Sequence, residues 1–272
     1  MNRIDARFAQ LKAAGRKALI PFVTAGDPMP EGVVPLLHAL VGAGADLIEV
    51  GVPFSDPMAD GPVIQHASER ALSKGVGLAQ IFGWIGEFRK TDAATPIVLM
   101  GYLNPVEIHG YERFAREANA AGVDGVLLVD CPLEESQAVG AIEAAGLRRI
   151  FLTAPTTSSA RLAAMCEKAR GFLYHVSFAG ITGANRLSLD AVRERVAAIK
   201  ARTATPVAVG FGVRDAASAA AIARFADAVV IGSALVETLA GATSAQAACD
   251  ATRAFLAPIR AALDSGSAAH AA

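Results

Sequence analysis

The feature that most constrains this chain is a repeating alternation. Eight short apolar runs, each followed by a turn and then a helical segment, recur from residue 18 onward, at 18–24, 47–50, 96–100, 125–129, 150–153, 172–176, 206–209 and 228–231. Each run is apolar on both faces and rich in Val, Ile and Leu, as a strand covered on both sides must be. Strands that alternate with helices pair in parallel, because the crossover helix returns the chain to the same end of the sheet. Eight such units fit a sheet closed on itself better than an open, doubly wound one, and no G-x-G-x-x-G follows the first run to mark a dinucleotide fold. The expected class is therefore α/β, a (β/α)8 or TIM barrel. With 272 residues, 53% hydrophobic and 19% charged, the chain has the size of one such barrel, read here as a single domain over 1–272. Residues 11–16 are expected in an extra N-terminal helix that plugs or flanks the core. The connections after strands 2 and 6 are longer than their neighbours, and 265–272 reads as a frayed tail.

Composition removes several function classes. The 25 basic and 26 acidic residues nearly cancel, giving no electrostatic case for nucleic acid or an anionic membrane surface. Cys131, Cys166 and Cys249 are odd in number and lack metal-ligand spacing, which suits a reduced, cytoplasmic protein. Neither an apolar signal segment nor an uninterrupted run of about 18 apolar residues occurs.

The second strand carries the chain's most informative residue. Glu49 interrupts an otherwise apolar run, and a buried carboxylate costs several kcal/mol unless it is paired or protonated. The stretch GVPFSDPMADGP at 51–62 then makes a stiff loop bearing Ser55, Asp56 and Asp60. Active sites of such barrels lie at the C-terminal strand ends, which gathers Phe22, Glu49, Tyr102, Asp130, Tyr174, Phe211 and Gly232 around one mouth. Glu49, enclosed by apolar neighbours, is expected to resist ionisation and to give and take a proton; Asp60, on a wetter loop, is expected to stay anionic. Gly180 and Gly183, Gly210 and Gly212, and Gly232 with Ser233 follow three consecutive strands, where bare backbone N–H groups suit a phosphate. Each turn alone is an ordinary tight connection. Phe22, Tyr102, Tyr174 and Phe211 suit a flat aromatic ligand, although single aromatics are more often core. A metal held by Asp56, Asp60 and His66 is disfavoured, since His38, His109, His175 and His270 are isolated.

These motifs resemble the tryptophan synthase α-subunit family over nearly the whole chain, from PFVTAGDP at 21–28 to GSA at 232–234. EVGVPFSDPMADGP at 49–62 is the most specific match; GVDG at 122–125, VDCP at 129–132, GITG at 180–183 and GFGV at 210–213 support it. The resemblance implies a barrel lyase that splits indole-3-glycerol phosphate into indole and glyceraldehyde 3-phosphate without a cofactor in this chain. By position, Glu49 would be the general acid–base and Asp60 would hold the indole N–H. Phe22, Met100, Tyr174 and Phe211 would enclose the indole and its side chain. Gly183, Gly212, Gly232 and Ser233 would bind the phosphate, with Thr182 in a loop closing over Asp60. It further implies a β subunit carrying pyridoxal phosphate, an αββα heterotetramer, and a contact near Pro53, Asp56 and Asn104. Phe178 and Ala179 depart from the polar or charged residues of some relatives, while Met100 and Ile181 are mild changes of apolar shape. Three alternatives remain at this point: a stand-alone indole-releasing lyase, a sugar-phosphate isomerase or epimerase on a similar barrel, and a non-catalytic activator of a β subunit.

Overall fold

The computed structural model describes residues 1–134, 136–176, 189–210 and 212–268. Thr182, Gly183 and Phe211, together with Phe178, Ala179, Gly180 and Ile181, lie outside the described residues.

The chain runs α1 (Arg3–Ala13), β1 (Ala18–Thr24), a 3-10 turn (Pro30–Gly32), α2 (Val33–Gly42), β2 (Ile48–Gly51), α3 (Pro62–Leu72), α4 (Leu78–Arg89) and β3 (Ile97–Gly101). It continues through α5 (Leu103–His109), α6 (Tyr111–Ala121), β4 (Gly125–Leu128), α7 (Ser136–Ala144), β5 (Arg148–Arg149), β6 (Phe151–Thr153), α8 (Ser159–Lys168) and β7 (Leu173–Val176). The last elements are α9 (Leu189–Lys200), β8 (Val207–Gly210), α10 (Ala216–Ala223), β9 (Ala228–Ile231), α11 (Ser233–Leu239) and α12 (Ala245–Ala268).

All pairings are parallel, in the order β5-β4-β3-β2-β1-β9-β8-β7-β6. The two ends of that order, β5 and β6, are halves of one stave, separated by Ile150, whose N–H donates to Val126 O at 2.9 Å. Eight staves therefore close the barrel, as the alternation of the sequence requires. One apolar layer lies between the sheet and its helices, and a second fills the barrel interior with Ile20, Leu47, Val98, Leu127, Phe172 and Ala208.

The N-terminal helix begins at Arg3, earlier than expected, and it plugs the barrel. Ile4, Phe8 and Leu11 recur on one face and join the interior cluster, with the Phe8 and Phe172 rings 5.7 Å apart. Gly125 makes room for this plug: a Cβ there would lie 2.9 Å from Ile4 Cδ1. Asn2 caps α1 by accepting from Ile4 N, and the ion pair of Arg3 with buried Asp124, 2.9 Å, ties the helix to the start of β4.

A short helix that the sequence does not announce, α5, follows β3 directly: Pro105 falls in its first turn, where its missing N–H removes no helical bond, and Asp130 Oδ1 accepts from Leu103 N at 2.7 Å. Where a frayed tail is expected from 265, α12 runs through Ala268, and Ser265 Oγ donates to Ala261 O at 2.6 Å. Residues 269–272 lie outside the described residues.

Candidate active site

Side-chain alternation along the strands decides what reaches the barrel interior. Ile20, Leu47, Val98, Phe172, Ala208 and Val230 point inward. Two residues further along the same strands, toward the C-terminal mouth, come Phe22, Glu49, Met100, Tyr174, Gly210 and Gly232. The next inward step brings Thr24, Gly51, Tyr102 and Gly212 to the rim.

Glu49 stands in register with Phe22 on β1 and Val98 on β3, and it is 1% exposed. Neither of its carboxylate oxygens has a hydrogen-bond partner among the described residues. Burial, followed by the nearby charge of Asp60, pushes its pKa up to about 8. A carboxyl at that value holds its proton at neutral pH and can still surrender it. Orphaned buried carboxyls are costly, and such groups concentrate where chemistry uses them.

Asp60 lies on the loop between β2 and α3, which folds back over the mouth. Tyr102 Oη donates to Asp60 Oδ2 at 3.1 Å and accepts from Ala59 N at 3.0 Å, while Gln65 Nε2 donates to Asp60 O at 2.7 Å. Asp60 is thus half-buried and held by Tyr102, less wet than the loop position suggests. Burial raises its pKa, and the Tyr102 hydroxyl works against that rise. Burial, then the charges of Glu49 and Asp60, raises the pKa of Tyr174, so that phenol stays neutral beside both acids.

The mouth cleft is lined by Phe22, Thr24, Asp60, Ile64, Met100 and Tyr102. Phe22 is held between α3 and α11 by Ile64, Ala67 and Val236. Two glycines let aromatic rings lie flat against the wall: a Cβ on Gly51 would meet the Phe22 ring at 2.5 Å, and one on Gly210 would meet Tyr174 Cε2 at 2.7 Å. Thr24 is a residue that the sequence reading passed over. Its Oγ1 is buried without a partner among the described residues and shares the inward face of β1 with Phe22, a spacing of two that would have found it.

Gly212 follows β8 and Gly232 follows β9, on neighbouring paired staves. Gly212 has φ +48°, and Gly232 precedes exposed Ser233 at the start of α11. Asp130 is not free at the mouth, being engaged by Leu103 N. His66 lies on α3, 3.0 Å from Glu69, and among the described residues no group of three His, Cys, Asp or Glu side chains is placed to hold a metal. Of the expected partner contacts, Asp56 and Asn104 are exposed, whereas Pro53 is buried. Among the described residues no helix is long and apolar enough to cross a membrane.

The sequence profile of the family described as "Tryptophan synthase alpha chain" matches residues 8–263. The chain is 60% identical over 265 residues to the tryptophan synthase alpha chain of Xylella fastidiosa (strain M12), an alignment covering 97% of this chain and 99% of that one. It is also 60% identical over 266 residues to the corresponding chain of Xanthomonas oryzae pv. oryzae (strain MAFF 311018), covering 97% and 99%. Among solved structures, the tryptophan synthase subunit alpha of Legionella pneumophila str. Paris superposes with a TM-score of 0.91 at 44% identity, over 97% of this chain and 99% of that chain. The aminoacrylate-bound form of tryptophan synthase from M. tuberculosis superposes at 0.85 with 38% identity, covering 97% and 100%.

Proposed function

The chain belongs to the tryptophan synthase alpha chain family, and on that premise we propose that it cleaves indole-3-glycerol phosphate to indole and glyceraldehyde 3-phosphate. The observation that carries this reading is Glu49: an inward-facing, unpartnered carboxyl with a pKa near 8, beside a second acid held by a tyrosine.

Protonated Glu49 supplies the proton that goes to the ring carbon bearing the glycerol chain. The indole nitrogen then carries positive charge, which anionic Asp60 accepts through the N–H, stabilising the intermediate. Glu49, now a carboxylate, takes the proton of the glycerol hydroxyl next to the scissile bond. The carbon–carbon bond breaks, its electron pair returns to the ring, and the hydroxyl carbon leaves as the aldehyde. One residue thus donates and recovers a proton, and the step needs no cofactor in this chain. Tyr102 supports the anionic form of Asp60, and Phe22, Met100 and Tyr174 supply an apolar wall against which the indole lies. Gly183, Gly212, Gly232 and Ser233 are proposed to bind the phosphate and Thr182 to belong to a loop closing over Asp60, as the resemblance to the family implies.

A β subunit that carries pyridoxal phosphate and consumes the indole in an αββα assembly completes the proposal, with Asp56 and Asn104 as exposed contacts. The decisive test is indole release from indole-3-glycerol phosphate by the purified chain, with and without a β subunit. Slow release that rises strongly with β supports the coupled enzyme, and fast release alone favours a stand-alone lyase. No release in either case overturns the reaction.

A further inference from the structure

A second cleft, of about 760 Å3, lies at the opposite end of the barrel from the Glu49 mouth, bounded by α1 and by the turns leading into β1, β7, β8 and β9. That volume falls within the range of small-molecule sites, about 300–1,000 Å3.

Its charge sets it apart from the rest of the chain, in which acids and bases nearly cancel. Lys12, Arg16, Lys17, Arg170 and Lys200 line it, against two carboxylates, Asp5 and Asp227. Both carboxylates are already engaged: Asp5 accepts from Arg148 Nη2 at 2.6 Å and Asp227 from Lys200 Nζ at 2.7 Å. Arg16 meets the exposed Asp264 at 3.1 Å. Lys17 Nζ donates to the neutral carbonyl of Ala226 at 2.8 Å, and Arg170 Nη1 donates to Ala169 O at 2.8 Å and Glu167 O at 3.1 Å. Among the described residues, no carboxylate lies within ion-pairing distance of Lys12, Lys17 or Arg170. Burial pushes the Lys17 ammonium below its ordinary pKa, and Lys200 adds to that, with Asp227 opposing. Cations gathered in a concave, low-dielectric wall focus a positive field into the cleft. Phe8, Leu11 and Pro206 give the same cleft an apolar side.

We propose that this cleft binds a small organic anion, a carboxylate, sulfonate or phosphate carried on a flat apolar body. The anionic group meets Lys12, Lys17 and Arg170, and the body lies along Phe8 and Pro206. The site is remote from the mouth, so occupancy there does not compete with the substrate.

The probe is 8-anilinonaphthalene-1-sulfonate, titrated by fluorescence into the full chain with the mouth filled by an indolealkyl phosphate. Saturable binding that weakens at least about tenfold in K12E/R170E, with indole release unchanged, is the expected result, because two exposed cations are reversed there. Equal affinity in that variant overturns the proposal. Amide shifts on the wild-type chain provide a check that does not depend on a variant's folding. Changes grouped at 12–17, 169–171 and 203–206 support the site, and changes confined to the mouth refute it. Tight binding of duplex DNA or anionic vesicles with no binding of the probe also refutes it, in favour of a polyanion surface.

Discussion

Tyr102 and Asp60, 42 residues apart, meet through one hydrogen bond of 3.1 Å, with the phenol donating to Oδ2. The same phenol oxygen accepts from Ala59 N, so one side chain fixes both the loop and the charge on its acid.

Tyr102→Phe removes the interaction that lowers the Asp60 pKa, so that pKa rises further. If anionic Asp60 is the working form, the acid limb of the pH–rate profile shifts to higher pH, and kcat/KM at neutral pH falls by about tenfold, the scale of one hydrogen bond to a charged group. A profile unmoved along the pH axis would remove Tyr102 from the electrostatics of the site.

Glu49→Gln should lower turnover by at least about 10³-fold while leaving binding of an indolealkyl phosphate largely intact, the behaviour of a residue needed in the transition state. Stability changes in the opposite sense. The folded pKa of about 8 lies above the unfolded value of about 4.5, so the folded state holds this proton more tightly. Wild-type stability is therefore lost, relative to the Gln variant, as pH rises through that window, at up to about 1.4 kcal/mol per pH unit. Thermal unfolding of the two proteins should differ little near pH 4 and favour the variant at pH 9.

Gly210→Ala would drive a methyl group into the buried Tyr174 ring, which has little room to retreat. Overpacking of this kind costs about 1–3 kcal/mol. The expected result is a lower Tm together with a raised KM, because the displaced ring belongs to the proposed indole wall; kinetics identical to wild type would argue that Tyr174 lies outside the binding surface.

Asp27→Asn weakens the bidentate pair with Arg70, at 2.7 and 2.9 Å, that joins the turn after β1 to α3. Asp27 is buried but Arg70 is 35% exposed, so screening keeps the loss to about 1–2 kcal/mol and the fall in Tm to a few degrees. Since α3 follows directly from the Asp60 loop, kcat should fall with it, and restoring stability with a surface substitution elsewhere should not restore kcat.

Much of this architecture was legible because strands buried on both faces leave an unmistakable pattern. Glu49 was legible for the complementary reason: it interrupts that pattern, and no basic residue stands at a strand end to pair with it. The partners of Asp60 and Asp27 were not legible. Tyr102 lies 42 residues from Asp60 and Arg70 lies 43 from Asp27, and a loop's path over the mouth follows from tertiary contacts that periodicity does not record. Helix α5 was hidden by Pro105, which reads as a breaker unless its position within the first helical turn is known. Thr24 was hidden by its size, since a small hydroxyl ending an apolar run reads as the strand's polar edge.

The helix wedged into the base of the barrel closes the end of the interior opposite the Glu49 mouth. With Ile4, Phe8 and Leu11 seated beneath Phe172, nothing the size of an indole passes through the floor. In the proposed reaction, substrate and both products would share the C-terminal rim, so that a protein docked there could meter departure without touching the chemistry.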